Sequence, residues 1–213
     1  MGKITKGILG GFSGTVGSVI GSTWKGIDVI RSKPKMRKKS STKSQIAQRK
    51  KFGAAVKFFS NIQDLVKIGF QEVAIHQTSH NVAIKENFKH FSYDAQKDEL
   101  KIDYSKLIIA NGSRPPVRNL VATESADNMF RIDWDYDAFE EIYKDPYIHF
   151  LFITEDGKVL PRMNIDILVA KQINIDMKKL GLSGNVHTYC FFNYTDSEGI
   201  HRTSDSAYVL INN

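Results

Sequence analysis

FRIDWD, residues 130–135, decides the fold of the second half of the chain. Apolar and charged side chains alternate strictly, so Phe130, Ile132 and Trp134 share one face of a strand and Arg131, Asp133 and Asp135 the other. The face that carries Trp134 belongs inside. On both sides of it, short runs recur with turn residues about every ten positions, the spacing of a β-sandwich. VRNLVAT (117–123) precedes it, and YIHFLFIT (147–154), KVLPRM (158–163), QINIDM (172–177), HTYCFFNYT (187–195) and SAYVLIN (206–212) follow, making about seven strands. In HTYCFFNYT two consecutive phenylalanines, Phe191 and Phe192, leave the register open.

The first half has a different texture. In MGKITKGILGGFSGTVGSVIGSTWKG (1–26), Gly11, Gly14, Gly17 and Gly21 recur every few residues, but their spacing fits neither the dinucleotide fingerprint nor the phosphate loop that ends in Gly-Lys-Ser/Thr. Val16, Ser18, Ile20, Ser22 and Trp24 lie on one parity, and Ile27, Val29 and Arg31 follow Lys25-Gly26. This predicts two strands joined near Trp24 to Gly26, with glycines admitting close backbone approach between strands or subunits. A glycine-rich strand pair this short is marginal alone and calls for a further partner, which makes Gly11, Gly14, Gly17, Gly21, Trp24 and Gly26 the candidate assembly segment.

SKPKMRKKSST (32–42) then reads as a basic linker, and Thr42 with Gln45 forms a capping box at a helix start. Ile46, Phe52, Val56, Phe59, Ile62 and Val66 recur at helical spacing as far as Gly69, a C-cap signal, with Arg49, Lys50 and Lys57 off that stripe. The phenylalanines of RKKFGAAVKFF (49–59) thus read as core rather than as stacking platforms for bases. A shorter helix follows, capped by Thr78 or Ser79 and presenting Val82, Ile84 and Phe88. LKIDYSKLIIANGS (100–113) reads as a strand or strand pair ended by the turn signal Asn111-Gly112.

Composition bounds the possibilities further. The 213 residues are 41% apolar and 25% charged, ordinary for a globular chain with room for one or two domains. One cysteine, Cys190, excludes an internal disulfide framework and a multi-cysteine zinc site. The amino-terminal run is interrupted by Gly and Ser too often for a signal peptide, and nothing reads as a membrane span. The net charge of +7 is unevenly spread: Asp28 and Asp64 are the acids before residue 70, whereas beyond it acids outnumber bases. Lys33, Lys35, Arg37, Lys38, Lys39, Lys43, Arg49, Lys50 and Lys51 are therefore the candidate surface for an anionic partner, either nucleic acid or an acidic subunit.

Catalytic signatures find no foothold. Ser13 lies in Gly-Phe-Ser-Gly, not in a nucleophile elbow. Asp133-x-Asp135-x-Asp137 begins like a calcium loop, yet Ala138 stands where glycine is needed and Lys144 where a glutamate belongs. His76 and His80 have i, i+4 spacing without the accompanying glutamate or a third ligand, and Cys190 in an aromatic strand reads as a small core residue. No enzyme activity, metal or cofactor is expected.

Two resemblances rest on quoted residues. Pro115-Pro116-Val117-Arg118-Asn119-Leu120-Val121-Ala122, then Ile132-Asp133-Trp134, then the aromatic strand before Asp196-Ser197-Glu198-Gly199, resembles a fibronectin type III domain over Arg114 to Asn213. The run from Gly11 through Trp24-Lys25-Gly26-Ile27, with Ile30-Arg31-Ser32 and Thr42-x-x-Gln45-x-x-Gln48-Arg49-x-Lys51-Phe52, is similar to an uncharacterised family of bacterial and phage-associated proteins. That resemblance implies a particle or assembly role. The fold expected is an α+β part with a β-hairpin and one or two helices over 1–112, followed by an all-β fibronectin III/immunoglobulin-like sandwich over 113–213. The function expected is a non-enzymatic structural protein of a phage virion or phage-like particle, in a virion or the bacterial cytoplasm, self-associating through its N-terminal region or joining other particle subunits. Sequence-nonspecific nucleic-acid binding through the basic segment is the alternative.

Overall fold

The computed structural model describes every residue except 1, 5, 6, 8, 9, 36–40, 127, 136–143, 167–170 and 213. The chain divides into two compact units, Met1–Thr42 and Lys43–Asn213.

The first unit is an antiparallel sheet in the order β1-β2-β3-β4, made of β1 (Lys3–Ile4), β2 (Phe12–Val16), β3 (Val19–Trp24) and β4 (Ile27–Ser32). The expected hairpin is β3–β4, closed by Lys25 and Gly26 with φ of 47° and 80°, the two positive values that a type I′ turn needs. The single strand expected from Val16 to Trp24 is instead broken by a two-residue turn at Gly17-Ser18, so Val16 pairs with Val19. Val16 consequently shares a face with Val19, Gly21 and Thr23, not with Ile20 and Trp24, because opposed residues of a ladder point the same way.

The second unit is layered. Helices α1 (Lys43–Asn61), α2 (Gln63–Gly69) and α3 (Ser79–Asn87) cover one face of a sheet, whose other face packs on a second sheet. The middle sheet contains β9 (Lys144–Thr154), β10 (Val159–Asp166), β12 (Val186–Thr195), β13 (His201–Thr203) and β14 (Ala207–Ile211), in the order β10-β9-β12-β13 with β14 also on β12. The outer sheet, β11-β8-β7, contains β7 (Arg118–Ala126), β8 (Met129–Asp135) and β11 (Gln172–Asp176). A separate hairpin pairs β5 (Phe91–Asp94) with β6 (Glu99–Ile102), and a one-turn helix, α4 (Met177–Leu180), follows β11.

β9 and β12 are buried on both faces. Leu151, Ile153, Tyr189 and Phe191 join the helical core with Phe59, Leu65, Val66 and Phe91. Phe150, Phe152, Cys190 and Phe192 join the sandwich core with Phe130, Ile132 and Trp134. Both consecutive phenylalanines are therefore core residues of different layers, and a strand with two buried faces loses the alternation that would reveal its register. This also moves the division of the chain to Thr42/Lys43, where the sequence puts it at 112/113: the helices share a core with the sandwich.

Other expectations are corrected in detail. The single helix over 42–69 is two, α1 and α2, separated at Ile62 with φ of −119°. Phe59, Ile62 and Val66 are buried as expected, but Ile46 and Phe52 are exposed. α3 is capped by Thr78, whose Oγ1 accepts from the Asn81 amide at 3.2 Å. β6 is the strand expected at Leu100–Ile102, but Leu107 to Gly112 form none; the backbone of Ile108 is taken by the Asn87 side chain and the Asn111 amide donates to the Gly69 carbonyl at 2.9 Å. Gly112 is no hairpin turn: a Cβ there would lie 1.9 Å from the Thr203 carbonyl oxygen, and close passage against β13 is what demands glycine.

Candidate interaction surfaces

The glycines of the candidate assembly segment serve the first sheet itself. Gly17 and Gly26 make turns, and Gly14 pairs with Gly21 across β2 and β3. A Cβ on Gly21 would stand 2.1 Å from the Phe12 carbonyl oxygen, and one on Gly11 equally close to the Asp28 carboxyl. Close approach is thus accounted for between strands of one chain.

Among its described residues the sheet has almost no core. Among the described residues of 2–42, Gly21 alone is buried. β4 is exposed at all six positions, with Ile27 and Val29 on the face of Trp24 and Ile30 on the other. Ile30 is 63% exposed. The Lys33 amide donates to the Ser18 carbonyl at 2.7 Å. Antiparallel alternation then turns the amides of Ile27, Val29 and Arg31 towards β3 and those of Asp28, Ile30 and Ser32 outward along the edge. Ile30 is not in the candidate assembly segment, although IDVIRS carries apolar residues on both parities, the mark of a strand with no single inner face.

The described basic candidates are divided between the two units. Lys33 and Lys35 are exposed beyond β4 in the first unit, Arg37, Lys38 and Lys39 lie outside the described residues, and Lys43, Arg49, Lys50 and Lys51 sit on α1 in the second unit. At 100° per residue, Lys43 and Lys50 share a helix face, with Arg49 and Lys51 turned to either side. Lys50 is already engaged: its Nζ donates to Tyr93 Oη at 2.9 Å and pairs with the Asp98 carboxylate. Hydrogen bonding to Asp98, then to Tyr93, raises the Lys50 ammonium above its ordinary value, and the same contacts hold Asp98 low. Lys51 Nζ stands 4.2 Å from the centre of the Phe88 ring, a cation–π contact.

The chemical candidates are dispersed. Asp133 accepts from Arg131 Nε at 2.8 Å, Asp135 accepts from Asn119 Nδ2 at 2.9 Å, and Asp137 lies outside the described residues. His80 is on α3 but His76 precedes it, so the two share no helix face. Among the described residues no three His, Cys, Asp or Glu side chains are grouped to hold a metal, and no helix is long and apolar enough to cross a membrane. Cys190 is fully buried in β12, and burial pushes its thiol far above the ordinary value.

Residues 11–142 match the sequence profile described as "Family of unknown function (DUF6266)". None of the curated proteins compared matches the chain. Among solved structures, the FN3 domain of human collagen XX is similar at 12% identity, covering 49% of this chain and 96% of that one with a TM-score of 0.34. A myokine structure is similar at 13% identity, covering 47% and 97% with a TM-score of 0.30.

Proposed function

The chain belongs to DUF6266, a family of unknown function, and from its own geometry we propose that it is a non-enzymatic structural protein that self-associates through the edge of its first sheet. The observation that carries this reading is β4: six exposed residues on a sheet edge, three of them Ile or Val, in a unit of 42 residues with no buried apolar side chain among those described. Units of this size need a disulfide, a metal or association to be stable. The first unit has no cysteine. Association is the route this edge favours, because a long apolar edge is a template for it. The mechanism is β4 pairing antiparallel with β4 of a second copy about a two-fold axis, each strand using the outward amides of residues 28, 30 and 32. A phage-like particle, the setting implied by the resemblance, is one assembly in which such a dimer contact would be one of several.

The strand order β11-β8-β7 against β10-β9-β12 supports reading residues 118–211 as a fibronectin type III-like module within the second unit.

Sedimentation equilibrium of the full chain tests the association. Ile30→Pro removes an outward amide while sparing the ladder to β3, and it is expected to convert an oligomer to a monomer with the circular dichroism of the second unit intact. A wild-type monomer, or an oligomer unchanged by both Ile30→Pro and deletion of residues 1–32, overturns the reading. Nonspecific nucleic-acid binding is a second reading, favoured by the exposed Lys33 and Lys35. It predicts filter-binding affinity that falls steeply with salt, and a flat salt profile sinks it.

A further inference from the structure

The exposed Phe52, against the expectation of a core position, leads to a second surface. Between α1 and α3 lies an open groove of about 990 Å³ whose floor is Phe52, Gly53, Ile84 and Phe88. Phe52 and Phe88 meet edge to face at 6.3 Å, and Phe52 remains 52% exposed. A Cβ on Gly53 would meet nothing within 4 Å, so the missing side chain leaves the groove open at its middle. The rim carries two cations, Arg49 from α1 and Lys85 from α3, and no carboxylate among the described residues lines the groove. Lys51 above the Phe88 ring adds positive potential at that end. Gln48 and Asn81 complete the rim with amides that both donate and accept.

We infer that this groove binds an acidic amphipathic helix of a partner protein, which lays apolar residues on Phe52, Ile84 and Phe88 and sets carboxylates against Arg49 and Lys85. Walls contributed by two helices and an apolar floor suit helix-in-groove recognition, in which residues at i, i+3 or i+4 and i+7 anchor. The rim charge decides the sign of the occupant: a basic segment, such as residues 25–35 of a second copy with Lys25, Arg31, Lys33 and Lys35 against the single Asp28, would be repelled. The inference does not depend on association through β4.

The test uses the full-length protein and a fluorescein-labelled 18-residue synthetic helix with Leu at i, i+4, i+7 and i+11 and Glu elsewhere on the polar face. A counterpart with Lys in place of every Glu is the control. Fluorescence anisotropy is expected to show saturable binding of the Glu peptide, weakened by salt, and about tenfold or weaker binding of the Lys peptide. Phe52→Ser and Lys85→Glu, both at exposed positions where the fold is kept and checked by circular dichroism, are each expected to weaken the Glu peptide about tenfold. Absence of binding, equal binding of the two peptides, or affinity indifferent to both substitutions overturns the inference. So does a fall in the chain's own sedimentation mass on Phe52→Ser, which assigns the groove to a second copy.

Discussion

Asn87 satisfies the whole backbone of Ile108. Its Nδ2 donates to the Ile108 carbonyl at 2.8 Å and its Oδ1 accepts from the Ile108 amide at 2.7 Å, so one side chain does for Ile108 what a neighbouring strand would do. Nδ2 also donates to the Ala83 carbonyl at 2.9 Å, and the side chain is wholly buried. Asn87→Ala strands these groups without water and is expected to cost about 2–3 kcal/mol in urea unfolding. Asn87→Asp retains the acceptor but sets a carboxylate against two carbonyls, and it should destabilise more at neutral pH than at pH 4.

Glu72 ties the helices to β13. Oε2 accepts from the amides of Ser113 and Thr203, both at 3.1 Å, and Oε1 pairs with Arg202 at 3.3 Å. Burial alone would raise the carboxyl, but the hydrogen bonds from Ser113, Thr203 and Arg202 outweigh it and hold the group below its ordinary value of 4.5. A depressed carboxyl contributes stability above its unfolded value and loses it as pH falls through the folded one. Glu72→Gln is expected to lower stability at pH 7 and to flatten the acid limb of the stability profile below about pH 4.5, measured by thermal unfolding.

His149 is buried with both ring nitrogens occupied. Nδ1 accepts from the Asn164 amide at 3.2 Å, which leaves Nε2–H to donate to Asn193 Oδ1 at 2.6 Å. The ring lies 5.0 Å from that of Phe191. Burial lowers the imidazole below its ordinary 6.5, and the contact with Asn193 offsets this in part. The unfolded chain therefore takes up the proton first, and stability should decline as pH falls below about 6.5. His149→Gln should remove that decline while lowering stability at pH 8, in denaturant melts across pH.

Cys190 should resist Ellman's reagent in the native protein, because the thiol is enclosed in the sandwich core and held protonated. Its labelling rate is expected to rise with urea in step with global unfolding, since β12 lies in the middle of the molecule's larger unit. Rapid labelling in buffer would show that β12 opens locally.

The sequence was legible where one face was buried and the other wet. FRIDWD specifies β8 residue by residue, and the cap and apolar spacing specify α3, because periodicity survives when water touches one side. It failed at β12, where two cores claim alternate residues, and at Leu107 to Ala110, where a side chain 21 residues away replaces a strand partner. The candidate surfaces are legible in part as structure. Glycine spacing in residues 11–26 points to the first sheet, but a turn at Gly17 rearranges its faces, and Phe52 obeys the helical stripe yet lies in an open groove beside α3.

Because β9 and β12 are a party wall between two rooms, the portion after residue 112 is no freestanding tenant. Excised there, it would present Leu151, Ile153, Tyr189 and Phe191 bare, and such a fragment is expected to clump where the longer piece starting at residue 43 stays dispersed.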